Sequence, residues 1–294
     1  VTASDALGAV ETPSGKNAAY ENFPVGSWLL PAGLRPHVAV FYAYARAIDD
    51  IADNPALPAP EKVRRLEGFA AALEDPGRAD PAFAKAIRMR ESLAATGVTA
   101  RHCLDLVRAF KQDATKLRYR DWDDLMGYCI LSAAPVGRYL LDLHGGSADG
   151  YRAADALCMA LQVINHLQDC REDYRLLDRV YLPLDWIEEA GARVEDLDAP
   201  PATPALRRVL DRTLAATRRL MEDARTLPAG LKSRRLAMES AAIVRIADAL
   251  IEELSRRDPL AGRVRLGKGR FLWCCALGAA SAAVAPPAEA RRAA

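Results

Sequence analysis

The chain has 294 residues, enough for a sizeable core, and its 40 Lys and Arg against 39 Asp and Glu give no electrostatic support to a nucleic-acid partner. Alanine and leucine dominate, aromatic residues are few, and no run of alternating β-branched residues occurs, so an all-α fold is expected. The six cysteines (Cys103, Cys129, Cys158, Cys170, Cys274, Cys275) form no C-x-x-C and no zinc-like spacing with histidine, so neither a disulfide framework nor a zinc site is expected, and free thiols in the cytoplasm are.

In chain order, residues 1–20 read as a flexible leader with no basic stretch leading into an apolar run, so no secretory signal is expected. The segment Glu21–Pro31 is too broken by proline and glycine for a long helix. A first helix is predicted from Pro36 to Asn54, followed by amphipathic helices over 60–74, 81–95 and 101–112. A helix over 121–143 is expected to kink at Pro135 and end at Gly145 and Gly146. A helix over 150–174 leads into a loop rich in cationic and phenolic groups, then a short helix at 183–190 and a Pro-rich linker. Two long helices over 204–226 and 230–256 follow, and no change of composition marks a second domain. Phe271–Ala285 is apolar for 15 residues, short of the ~20 that a bilayer span needs. It reads as a core or surface helix, with an interfacial anchor flanked by Arg263, Arg265, Lys268 and Arg270 as the alternative. Residues 285–294 read as a flexible tail.

Two of these helices carry the chemistry. Tyr42, Arg46, Asp49 and Asp53 recur along one stripe, beside an apolar stripe of Phe41, Ala45, Ile48 and Ala52. Gln162, His166, Asp169 and Asp173 repeat the same offsets 120 positions later, with Asn165 among them. One D-x-x-x-D is commonly just a solvated helix face. Two, each ending a largely apolar helix, point to facing walls that hold divalent metal and phosphate. The acidic pair after Arg46 sits at a helix C-terminus, where the macrodipole disfavours negative charge, so cations are expected to offset it. Mg²⁺ held by Asp49, Asp53, Asp169 and Asp173 would clamp a diphosphate leaving group. Arg46, Lys116, Arg118, Arg179 and Tyr181 could stabilise charge developing on it, surface solvation being the plain alternative for each basic residue. Gln162 and Asn165 suit a polar pocket lining, buried amides that satisfy each other being the plain alternative, and His166 suits a supporting position rather than a metal ligand. Tyr42, Asn165, Gln162 and Gln168 form a polar patch able to hold a water. No phosphate-binding loop, dinucleotide fingerprint or G-x-S-x-G occurs.

With these residues in place, the chain resembles the squalene/phytoene synthase family of head-to-head prenyl synthases. The likeness runs from about Glu21 to Lys268. It rests on Tyr42…Arg46…Asp49…Asp53, Asp113…Arg118-Tyr119, Tyr128…Val136-Gly137, Gln162…Asn165…Asp169…Asp173 and Arg179…Tyr181…Pro183. The resemblance implies an isoprenoid-synthase-type helical bundle around a central cavity, spanning 21–270, with the aspartates binding Mg²⁺ and prenyl diphosphate. Asp49, Asp53, Asp169, Asp173, Tyr42 and Arg46 are then expected to be catalytic. Asn22, Lys116, Arg118, Tyr128, Gln162, Asn165, Arg179 and Tyr181 are expected to bind substrate.

The segments Glu21–Val25, Arg35–Pro55 and His166–Tyr174 resemble the hydroxysqualene-forming branch found in bacterial hopanoid pathways. Phytoene and presqualene diphosphate synthases usually carry Asn-Ile-Leu-Arg-Asp where this chain has Asn165 to Asp169 with Gln168 in the arginine's place. That branch implies ionisation of presqualene diphosphate, rearrangement and capture by water, without a hydride donor. Condensation of two prenyl diphosphates to presqualene diphosphate or phytoene is the alternative reaction. A non-catalytic prenyl-lipid-binding subunit is the alternative of another class. The expected location is cytoplasmic, with peripheral contact at the inner membrane face and functional partners in squalene synthesis as further expectations.

Overall fold

The computed structural model describes residues 10–12, 29–78 and 80–284, so the tail, most of the leader and Asn22 lie outside the described residues. Helix α1 (Arg35–Asp53) starts with proline in its first turn, whose missing N–H would have no intrahelical partner there. Its apolar face buries Val38, Phe41, Ile48 and Ile51 against α2 (Ala59–Glu74), α3 (Ala84–Thr96) and α4 (Arg101–Asp113). Each such fully buried aliphatic side chain contributes roughly 1.5–3 kcal/mol.

The single kinked helix expected over 121–143 is instead two, α5 (Trp122–Ser132) and α6 (Ala134–Leu143), parted at Ala133. Pro135 has no N–H to give to the carbonyl one turn back, and it occupies the first turn of a new helix. The Asp121 carboxylate caps α5 by accepting from the Asp124 N–H at 2.8 Å. Gly137 lets α6 lie close to the next long helix: a Cβ there would stand 2.8 Å from Cys158 Sγ and 3.3 Å from the Ala154 Cβ.

That helix, α7 (Tyr151–Leu177), runs a turn past the expected end and stops where Asp178 adopts a left-handed conformation, φ 52°. It buries residues on most of its circumference, including Leu157, Leu161, Ile164 and Leu167, as a central helix must. The following segment forms β2 (Val180–Pro183), paired in parallel with β1 (Arg118–Tyr119). This two-stranded pair is the only sheet among the described residues. It brings the donor-rich loop after α7 back beside the end of α4. Helices α8 (Leu184–Glu189), α9 (Pro204–Ala224), α10 (Leu227–Gly230) and α11 (Arg234–Arg256) complete the bundle.

The C-terminal apolar segment is a helix, α12 (Lys268–Val284), laid along α11 at the surface. Gly278 makes the approach possible, since a Cβ there would fall 2.4 Å from Ala242 Cα. Among the described residues no helix is long and apolar enough to cross a membrane. All six cysteines are free.

Candidate active site

The acidic end of α1 is neutralised by cations from several elements. Arg46 reaches forward one turn, its Nη1 2.9 Å from Asp49 Oδ2 and its Nη2 2.8 Å from Asp50 Oδ1. Arg179, from the loop after α7, places Nη1 2.5 Å from Asp53 Oδ1 and donates through Nη2 to the Ala52 carbonyl at 2.8 Å. Lys62 on α2 donates to the same carbonyl at 2.7 Å. Two cations thus cap the C-terminus of α1, where the macrodipole favours them. Burial, and then the charge of Arg179, hold the Lys62 ammonium below its ordinary pKa.

The acidic end of α7 is arranged differently. Arg263 lies with Nε 2.8 Å from Asp169 Oδ1. It is placed there by its neighbour: buried Gln168 donates to the Val264 carbonyl at 2.5 Å, and Arg171 donates to the Leu260 carbonyl at 3.3 Å. Gln168 therefore turns away from the patch assigned to it from the sequence and pins the segment that delivers Arg263. His166 stacks on Tyr181 with ring centres 3.6 Å apart and accepts from Gln162 at 3.1 Å. Burial, then the charge of Arg179, push the His166 pKa down to about 3, so the ring is neutral near pH 7.

Between the two ends lies Asp113, the last residue of α4, which accepts from Tyr128 at 2.5 Å and from Tyr181 at 3.0 Å. Burial outweighs these donors and the charge of Arg179, raising its carboxyl to about 6. Tyr119, Tyr128, Tyr181 and His166 surround it as an aromatic floor, with ring centres 3.6 to 6.1 Å apart.

These groups face two neighbouring cavities. A polar one of about 230 Å³ is lined by Asp49, Asp53, Asp169 and Asp173, with Arg46, Arg179 and Arg263 on the same walls. An apolar one of about 250 Å³ runs along α1, α4, α6, α7 and α11. Arg46, Asp49, Phe110, Gln162 and Asn165 line both, so the acidic chamber adjoins a hydrocarbon-lined one. Among the described residues, no three His, Cys, Asp or Glu side chains stand close enough to hold a metal unaided, and guanidiniums lie against Asp49, Asp53 and Asp169. The donor set is nonetheless the hard-oxygen kind that Mg²⁺ takes together with water and phosphate.

Of the residues singled out from the sequence, the four aspartates, Arg46, Tyr128, Gln162, Asn165, Arg179 and Tyr181 line the polar cavity, and Tyr42 lines the apolar one. Lys116 and Arg118 do not line either cavity. Lys116 pairs with Asp124 at 2.5 Å, and Arg118 pairs with Asp178 at 2.5 Å, tying β1 to the end of α7. Sequence reasoning missed Arg263, Lys62 and Asp113 as parts of the site. The first two carry no local motif, and Asp113 stands in one of the resembling blocks without having been given a role.

A family model described as squalene/phytoene synthase matches residues 16–270. The chain is 45% identical over 264 residues to the hydroxysqualene synthase of Rhodopseudomonas palustris, spanning 90% of this chain and 89% of that one. It is 40% identical over 268 residues to the hydroxysqualene synthase of Zymomonas mobilis, with coverage of 90% and 89%. In structure it is similar to squalene synthase HpnC from Alicyclobacillus acidocaldarius, with a TM-score of 0.69 and 32% identity over 79% of this chain and 87% of that one. The bundle is an isoprenoid-synthase helical fold, and the chain belongs to the squalene/phytoene synthase family.

Proposed function

We propose that this protein is a hydroxysqualene synthase, which ionises presqualene diphosphate, lets the cyclopropylcarbinyl cation rearrange, and captures it with water to give hydroxysqualene and diphosphate. The observation that carries the reading is the junction of the two cavities, where a chamber of carboxylates and arginines shares Arg46, Asp49, Gln162 and Asn165 with an apolar chamber. A lipid diphosphate needs that pairing, with its headgroup in one and its hydrocarbon in the other. The 45% identity to a hydroxysqualene synthase supports the branch.

Asp49, Asp53, Asp169 and Asp173 would hold Mg²⁺, which would supply Lewis-acid stabilisation to the leaving diphosphate. Arg46, Arg179 and Arg263, which lie against the carboxylates, would turn to phosphate oxygens. Asn22 would also contact the substrate. Tyr128, Tyr181 and neutral His166 would give the polar cavity an aromatic wall. Their hydroxyl and ring-nitrogen bonds to Asp113 and Gln162 hold those rings in place. Lys116 and Arg118 would act by fixing the β1–β2 pair that carries Tyr181. Residues 21–270 form the catalytic domain in this reading, with the rest of α12 as an appended surface helix. The exposed Leu272 and Trp273, close to exposed Arg265 and Lys268, fit peripheral contact at the inner face of the cytoplasmic membrane and access to partners in squalene synthesis.

The test is to supply presqualene diphosphate and Mg²⁺ in H₂¹⁸O with and without NADPH. One heavy oxygen in a C30 alcohol, formed equally in both, is the expected result. Squalene formed only with NADPH, or C30 lipid made from farnesyl diphosphate alone, would move the chain to another branch.

A further inference from the structure

Two buried polar side chains on the wall of the apolar cavity each carry an atom without a hydrogen-bond partner among the described residues. Glu239, in the second turn of α11, is 5% exposed and lines the cavity among Phe41, Leu106, Leu161 and Ile243. Its Oε2 has no hydrogen-bond partner among the described residues. Ser132, the last residue of α5, is 7% exposed, lines the same cavity, and its Oγ is likewise unpartnered. A buried carboxyl oxygen without a partner is costly in an apolar wall, where a leucine would pack without penalty. Polar groups left open in this way are the usual lining of a site for water, which needs two to four partners.

Building on the hydroxysqualene reading, we propose that Glu239 and Ser132 hold the water that captures the carbocation, and that Glu239 is the base that takes its proton. Diphosphate leaves with the C–O bonding pair. After rearrangement, a lone pair of the water oxygen forms the new C–O bond to the cation, and the O–H electrons stay on oxygen as the proton passes to a Glu239 carboxylate oxygen. The neutral alcohol and the protonated glutamic acid result, and Glu239 later returns the proton to solvent. One water is consumed, one proton is released, and no oxidant or reductant enters. Burial raises the Glu239 carboxyl to about 7, a basicity suited to taking and returning a proton near neutrality. The position also separates the two jobs: the leaving group departs between α1 and α7, and water waits on α11, away from the diphosphate.

The deciding quantity is the ratio of alcohol to diphosphate released, measured on the full-length protein with presqualene diphosphate and Mg²⁺. Wild type should give about one alcohol per diphosphate. Glu239→Gln conserves volume and should lower that ratio at least fivefold, with hydrocarbons from proton loss or unrearranged alcohols making up the balance. Glu239→Leu should do the same, and Ser132→Ala should lower it about twofold. A merely structural residue would reduce alcohol and diphosphate in parallel, so an unchanged ratio in the folded Glu239 variants, at any rate of turnover, overturns the proposal. Should Gln or Leu prevent folding, the Ser132→Ala ratio decides in the same way. If wild type releases no diphosphate from presqualene diphosphate, the functional reading itself fails and this proposal goes with it, an outcome distinct from an unchanged ratio in an active enzyme.

Discussion

The ends of α1 and α7 carry acidic pairs at the same spacing, yet the protein treats them differently. On α1 the residue one turn before the first aspartate is Arg46, which bridges Asp49 and Asp50, and the helix end is closed by buried Arg179 and Lys62. On α7 the equivalent residue is His166, neutral and stacked on Tyr181, and cationic contact to Asp169 comes from Arg263, nearly a hundred residues on. One wall is neutralised within the core, and the other by a segment that arrives from the far end of the chain. Equal spacing gives equal geometry, but the cost of each charge is set by what the fold packs beside it.

The largest effect should come from removing charge on either wall. Asp53→Asn and Asp169→Asn should each lower turnover on presqualene diphosphate by about a hundredfold or more, because the carboxylates are proposed to act as one clamp. Near-wild-type turnover in either would show that only one wall binds metal. Stability in the absence of metal should then separate the two. Asp53→Asn removes the carboxylate that faces Arg179, whose side chain is only 5% exposed, while Asp53 itself is 31% exposed. With that exposure discounted, a loss of about 2–3 kcal/mol is expected. The Asp169–Arg263 pair is about a quarter exposed on both sides, and Asp169→Asn should cost under about 1 kcal/mol. Urea midpoints of the two variants measure the difference, and equal midpoints would erase the asymmetry.

Much of this was legible in the sequence, and the rest was not for identifiable reasons. Helix periodicity placed α1 and α7, and the repeated offsets of Asp49, Asp53, Asp169 and Asp173 placed all four on one cavity. Local signals failed where partners are distant. Nothing around Arg263 marks it, because its position depends on Gln168 reaching the Val264 carbonyl. The same bond removes Gln168 from the water-holding patch to which an amide among apolar residues had assigned it. Arg118 and Lys116 read as phosphate ligands in a polar stretch, and the fold sets them against Asp178 and Asp124. Glu239 reads in one dimension as an ordinary helix glutamate, and only the packing of α11 against the cavity makes it an orphan.

Acid sharpens the comparison between Arg46 and His166, the residues at matching offsets. Arg46 stays charged throughout. His166 in the folded state has its pKa lowered to about 3 by burial and by Arg179, against 6.5 for the free side chain. The unfolded chain therefore binds a proton below pH 6.5 that the folded chain refuses until about pH 3. Its contribution to stability is complete above pH 6.5 and is lost progressively as pH falls toward 3. At pH 5 the loss should reach about 2 kcal/mol, at 1.36 kcal/mol per pKa unit. In His166→Gln no proton can be taken up at this position, so the acid limb of the stability curve between about pH 7.5 and 5 should flatten by that amount. Its neutral-pH stability should fall by about 1 kcal/mol for the lost stacking on Tyr181. Urea titrations at pH 7.5 and pH 5 give both numbers. An unchanged acid slope would mean that His166 is protonated in the folded protein, and that the α7 wall, like the α1 wall, carries its own cation.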